Sequence, residues 1–292
     1  MNITRSKIRQ SALSFIYTYL ANGSQPVDSE LFWTIALEKE RDNLRKMHAK
    51  AVLHACRDAE DSARLLADRL ETLENRMHGD MTTAALRDEI TRYAGQSIAF
   101  DAALRSLQYS MVDKLRDSSA PLAQRTGEVL RLAAVVEAMG RELLPRFADY
   151  PAYRPQLEGL TAAVNRRARM LTGCMILATP AELGANKEFA GLARQAQDIQ
   201  ELRPAVETLA AGVIAHIPLM EPRLEGLLNN YSVERLDYVD KVILYISLYE
   251  LEVNGLDVPI VVSEATALAN EFSGSKSAPF IHGIIAAAAA SK

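Results

Sequence analysis

The stretch LLNNYSVERLDYVDKVILYISLYELEVNGLDVPIVVSEATALANEFSGSKSAPFIHGIIAAAAA, residues 227–290, decides the fold. Its apolar residues Val239, Val242, Ile243, Ile246, Leu248, Tyr249 and Leu251 cover most of the circumference of one helix, and a helix apolar almost all round is the central member of a bundle. Ser232 is expected to cap a short turn carrying Glu234. Asn254 and Gly255 mark a turn, and Pro259 begins the next helix. Phe280, Gly283 and Ile284 are expected to let a last helix pack closely.

Outward from this stretch, the spacing predicts five short amphipathic helices over about Glu201–Ile217, Met220–Asn229, Leu236–Glu252, Pro259–Phe272 and Ser277–Ala290. At the other end of the chain, Ile8, Ala12, Phe15, Ile16 and Tyr19 share one face of a first helix over Ile3–Leu20, which begins with Arg5, Lys7 and Arg9. Asn22, Gly23, Ser24 and Pro26 stop it, and Asp28 has the spacing of an N-cap with Leu31. From Asp28 to Gly79 no helix breaker occurs. Over its second half Ala49, Val52, Cys56, Ala59, Ala63, Leu66, Leu70, Leu73 and Met77 step by three and four, the spacing of a coiled-coil seam. The simplest partner is a helix from Thr82 to Leu115 beyond the His78-Gly79-Asp80 turn, in an intramolecular antiparallel hairpin rather than a dimer. Helices over Pro121–Phe147 and Tyr153–Ala178 follow, then a linker with one short helix over Thr179–Gln200.

Composition agrees with an all-α protein. Only 14 glycines and 11 prolines interrupt 292 residues, and a 49% hydrophobic content suffices for a real core. A formal charge of -4 means that any RNA site must be a local patch. The two cysteines, Cys56 and Cys174, lie far apart in a sequence without a signal-peptide pattern, so a reducing cytoplasm is expected. No apolar run approaches the roughly 20 residues that cross a bilayer, so no membrane partner is expected. His48 and His54 are six residues apart and do not share a helix face, no Cys-x-x-Cys occurs, and neither a glycine-rich phosphate loop nor a nucleophile elbow is present. Catalytic residues, metal ligands and cofactors are therefore not expected. Asp237 and Asp240 suit a helix start, where they meet the positive end of the dipole. Arg166, Arg167 and Arg169 form a second basic cluster, read as a solvated helix face before an extended RNA path.

The ordered motifs of the C-terminal stretch resemble the NusB family. Tyr231–Leu236 is similar to its W-S-x-E-R-L turn, and Val239–Leu251 to its V-D-x-x-I-L-x-x-x-x-Y-E-L helix. Asp257–Pro259 stands at the D-V-P turn, Glu264–Ala269 at E-A-x-x-L-A, and Phe280–Gly283 at F-V-N-G. The sequence departs from the pattern at Tyr245, where an arginine is usual, at Lys276, where an acid is usual, and at His282, where asparagine is usual. The resemblance covers about residues 1–24 and 198–292, and implies a NusB-like helical bundle core divided into 1–27 and 198–292 by an inserted helical region, 28–197. It further implies a cytoplasmic transcription antitermination factor, not an enzyme. Such a factor binds boxA-type RNA of ribosomal RNA transcripts with the ribosomal protein NusE, inside the RNA polymerase antitermination complex. In that reading Arg5, Lys7, Arg9 and Lys276 meet phosphates while Tyr17 and Phe280 stack on bases. The same cations also suit a plain solvated helix start, and both aromatics also suit a core. The alternative function is a protein-interaction scaffold that docks a partner or forms a homodimer through the inserted helices.

Overall fold

The first two helix starts in this chain are set by short side chains that accept backbone N–H groups left unpaired by helix geometry. The computed structural model describes residues 4–112, 119–228, 232–274 and 276–291. The Thr4 hydroxyl accepts from the Lys7 N–H to begin α1 (Arg5–Ala21), and the Asp28 carboxylate accepts from the Leu31 N–H to begin α2 (Ser29–Ala36). There follow α3 (Glu38–Ala55), α4 (Ala59–Met77), α5 (Ala84–Val112), α6 (Ser119–Arg146), α7 (Arg154–Ala178) and the single turn α8 (Pro180–Leu183). The chain then forms α9 (Ala190–Leu227), α10 (Tyr238–Glu252), α11 (Val258–Phe272) and α12 (Ser277–Ala290). Among the described residues there is no strand, as the composition predicts. Tyr231, Asn229 and the predicted end of a helix at Leu115 lie outside the described residues.

The chain divides into two units, one made of the chain up to Lys39 and from Gln197 onward, the other of Glu40–Ala196. In unit one α10 is central: Val242, Ile243, Leu244, Tyr245, Ile246, Leu248 and Leu251 are all buried, with α1, α11 and α12 against it. The division places α2 in this unit, whereas an insertion beginning at residue 28 would place it outside. The reason is burial. Trp33 and Leu37 lie in the same core as α10, and Ser29 and the Trp33 indole N–H both donate to Glu207 of α9.

Two helices expected over 201–217 and 220–229 are one, because α9 runs through Pro204, Pro218 and Pro222. Each proline removes one backbone hydrogen bond and costs a helix interior about 3 kcal/mol. Against this, Leu202, Val206, Ala210, Val213, Met220 and Leu224 hold one buried stripe past all three positions. Gly212 lets the Tyr249 ring cross this stripe, since a Cβ there would lie 2.6 Å from the ring carbon Cζ. Gly283, by contrast, is exposed, and a Cβ there would meet nothing within 4 Å, so the close packing of α12 comes from Ile281, Ile284, Ile285 and Ala288. Ser232 makes no capping hydrogen bond; the following Val233 N–H donates to Glu225 at 2.8 Å instead.

In unit two the predicted seam is buried at Ala49, Val52, Cys56, Ala59, Leu66, Leu73 and Met77. Its partner differs from the expected one, however, and the residues 28–79 form three helices rather than one. The closest helix pairings are α4 with α7 and α5 with α6, so the seam closes a bundle and not a two-helix hairpin. Across this bundle Cys56 and Cys174 meet as free buried thiols, Sγ to Sγ 3.2 Å. The hydrogen bond to Cys174, and then burial, push the Cys56 thiol up from its ordinary range and keep it protonated.

Candidate nucleic-acid interface

The basic start of α1 does not act as one group. Arg5 is exposed and Lys7 half-buried, but Arg9 turns inward and is only 2% exposed. Its Nε donates to both Glu250 carboxylate oxygens, at 2.9 and 2.8 Å, and its Nη1 lies 3.2 Å from Glu264. The expected phosphate contact at Arg9 is therefore corrected. A phosphate would have to enter the core and displace two carboxylates, so the residue ties α1 to α10 and α11. A signal for this was present in the sequence: Glu250 stands between Tyr249 and Leu251 on the circumference read as apolar, and a charge so placed needs a partner.

Helical spacing sorts the rest of α1. Lys7, Gln10, Ser14 and Tyr17 recur at intervals of three and four and form one stripe about 15 Å long, while Arg5 lies around the helix from it. Tyr17, 40% exposed, meets the 47% exposed Tyr238 edge to face with ring centroids 6.2 Å apart. Lys241, one turn along α10, holds its Nζ 5.4 Å from the centre of the Tyr238 ring. Neither Tyr238 nor Lys241 was singled out by motif, because a tyrosine beside an apolar helix reads as core until its exposure is known.

Asp237 caps α10 by accepting from the Val239 N–H at 2.9 Å, so the positive end of that helix lies beside the aromatic pair. Asp240, two residues from Tyr238, faces away from it and accepts from the hydroxyls of Ser273 at 2.6 Å and Ser277 at 2.9 Å. These bonds bring the start of α12, with the exposed Lys276, to the start of α10. Gln10 of the α1 stripe donates to Glu271 near the end of α11 at 2.7 Å. Phe280 is half-buried and packs against the core, so only part of its ring is offered to solvent. The structure thus brings together Tyr17, Tyr238, Lys241 and Lys276 around the start of α10, whereas Lys7 lies about 15 Å away at the other end of the α1 stripe, toward the end of α10 where Arg9 meets Glu250.

Tyr245, at the position where the resemblance has an arginine, is wholly buried and donates from its hydroxyl to Glu221 at 3.0 Å. Burial, helped by that hydrogen bond to a carboxylate, pushes the phenol well above its usual range, so a neutral donor stands there instead of a cation. Among the described residues no group of three or more His, Cys, Asp or Glu side chains is placed to hold a metal, and no helix is long and apolar enough to cross a membrane.

The fold is that of an all-helical bundle whose distinguishing surface is an aromatic pair beside cations at one helix start. Comparison with known proteins places it further: residues 176–290 match the model of the NusB family, so this part of the chain is a NusB-family domain. The transcription antitermination protein NusB of Solibacter usitatus is 31% identical over 85 residues, 29% of this chain and 58% of that protein. That of a Thermoanaerobacter species is 29% identical over 91 residues, 31% of this chain and 65% of its own length. The NusB protein of Campylobacter hominis is 30% identical over 83 residues, covering 28% and 63%. The alignments thus span less than two thirds of these relatives. No solved structure matches the chain.

Proposed function

We propose that unit one binds single-stranded RNA as a transcription antitermination factor, recognising boxA-type sequences of ribosomal RNA transcripts together with NusE. The observation that carries this is the Tyr17–Tyr238 pair, exposed on both rings and flanked by Lys241, with Tyr238 and Lys241 inside the segment 176–290 that matches the NusB family. Unpaired bases stack on such rings, and neighbouring cations neutralise the strand that carries them. Lys276 extends the positive charge beside the pair, and Lys7 and Arg5 carry it at the far end of α1, about 15 Å away. Fluorescence anisotropy with a boxA RNA and a scrambled one, with and without NusE at moderate salt, tests the proposal. A preference for boxA that weakens as salt rises supports it. Equal binding of the two RNAs in both arms refutes it.

The scaffold reading has one observation in its favour. Ile98 and Tyr109 of α5 are 66% and 77% exposed and, eleven residues apart, fall on one side of the helix. Replacing both by glutamate would abolish self-association measured by light scattering while leaving RNA binding unchanged. If the unsubstituted chain is monomeric at high concentration, a homodimer through α5 is refuted.

A further inference from the structure

Unit two contains a cavity of about 540 Å³, within the size range of small-molecule sites. One wall is a stripe of α7, where Arg166, Arg169, Met170 and Gly173 recur at helical spacing. The facing wall is the turn that ends α3 and the first turn of α4, with Arg57, Asp58 and Ser62. Gly173 sets the approach of the two walls, since a Cβ there would lie 2.8 Å from that of Ala55.

The arginine cluster of α7 is divided by this geometry. Arg167 is fully buried, bound to Asp101 at 2.6 Å and to the Ser97 carbonyl at 3.1 Å, with its guanidinium over the Phe100 ring. Arg166 and Arg169 instead line the cavity, and neither has a carboxylate partner among the described residues. Among the described residues Arg57 reaches only the His54 ring, at 3.4 Å. At the cavity wall Ser62 is 1% exposed, and its hydroxyl has no hydrogen-bond partner among the described residues. Buried hydroxyls are rarely left so, and this one is closed to water at the cavity wall. The cavity also holds two carboxylates. Glu188 is engaged by His54 at 2.9 Å, while Asp58 begins α4 without a capping hydrogen bond.

We propose that this cavity binds a phosphorylated sugar, free or as a mononucleotide. Guanidinium forks match phosphate oxygens, so Arg166 and Arg169 hold the phosphate. Asp58 would repel a bare anion beside it, but accepts hydrogen bonds from sugar hydroxyls, which is why a sugar phosphate fits better than inorganic phosphate. A terminal phosphate seats between the two guanidinium groups; a phosphodiester inside an RNA strand needs room for the chain on both sides.

Isothermal titration of the full chain with ribose 5-phosphate, adenosine 5′-monophosphate and adenosine tests this. Both phosphates are expected to bind one per chain, with adenosine at least tenfold weaker. Substituting Arg166→Gln together with Arg169→Gln is expected to weaken both phosphates at least tenfold, with helix content by circular dichroism unchanged. Tyr17→Ala should leave phosphate binding as it is, which separates this site from the RNA surface of unit one. Absence of binding by either phosphate, equal binding of adenosine, or full affinity in the folded double variant would overturn the proposal. So would tighter binding of a single-stranded RNA at this cavity, read as RNA affinity lost with Arg166→Gln and Arg169→Gln.

Discussion

Replacing Arg9 by methionine keeps the length and apolar stem of the side chain but removes the cation that faces Glu250 and Glu264. The Glu250 side chain is 8% exposed and would be left a buried carboxylate without its partner, whereas Glu264, at 29%, stays in reach of water. Breaking one side of a buried ion pair costs about 3–5 kcal/mol. With a urea dependence of about 2 kcal/mol per molar, the unfolding midpoint of unit one should fall by about 1.5–2.5 M. Trp33, the sole tryptophan, is buried in that unit's core, so its fluorescence follows unit one and not the rest of the chain. The double variant Arg9→Met, Glu250→Met should recover most of the loss, because replacing both charges of a buried pair by apolar groups is close to neutral. A single-variant midpoint within about 0.3 M of the unsubstituted chain, well below the shift expected from the same denaturant slope, would refute the reasoning. It would mean that Arg9 does not depend on the core carboxylates and is free to meet RNA.

Acid should release α2 from α9. Burial raises the Glu207 carboxyl, but hydrogen bonds from Ser29, Trp33 and Arg203 outweigh it and hold the group below its ordinary value of 4.5. A lowered folded value means that this stabilisation is complete above that pH and is lost as pH falls through the folded value. Trp33 emission should report the loss, and a Glu207→Gln variant with an unchanged acid transition would refute the assignment. Gly212→Ala should cost about 1–3 kcal/mol by pushing a methyl group into the Tyr249 ring, measurable as a lower Trp33 unfolding midpoint. Tyr238→Ala should weaken RNA binding by about 1–3 kcal/mol, the worth of one stacked base, while leaving the urea midpoint nearly unchanged. Affinity retained in that variant would remove the aromatic pair from the interface.

Much of the architecture was legible from spacing alone. The circumference of α10, the buried positions from Ala49 to Met77, and the starts at Asp28 and Pro259 are local properties that residue order expresses within a turn or two. The ordered motifs from Ser232 to Gly283 were enough to indicate the NusB family. For the interface the sequence singled out Tyr17 and Lys276, which lie around the start of α10, together with Lys7, which lies about 15 Å away along α1, but it passed over Tyr238 and Lys241.

Periodicity names a face but not what covers it, and that is where tertiary structure decided. The prolines of α9 end a helix by local rules, yet a buried stripe spanning all three outweighs them. The seam of α4 is readable as a seam, but α7 rather than the neighbouring α5 fills it, because the choice depends on which surfaces fit across nearly a hundred residues of chain. Arg9 looks like its neighbours Arg5 and Lys7 until Glu250, 241 residues away, draws it into the core. Arg167 is likewise separated from Arg166 and Arg169 by Asp101 and Phe100. A charged side chain acquires its role from the partner it meets, and those partners come together only when the chain is folded.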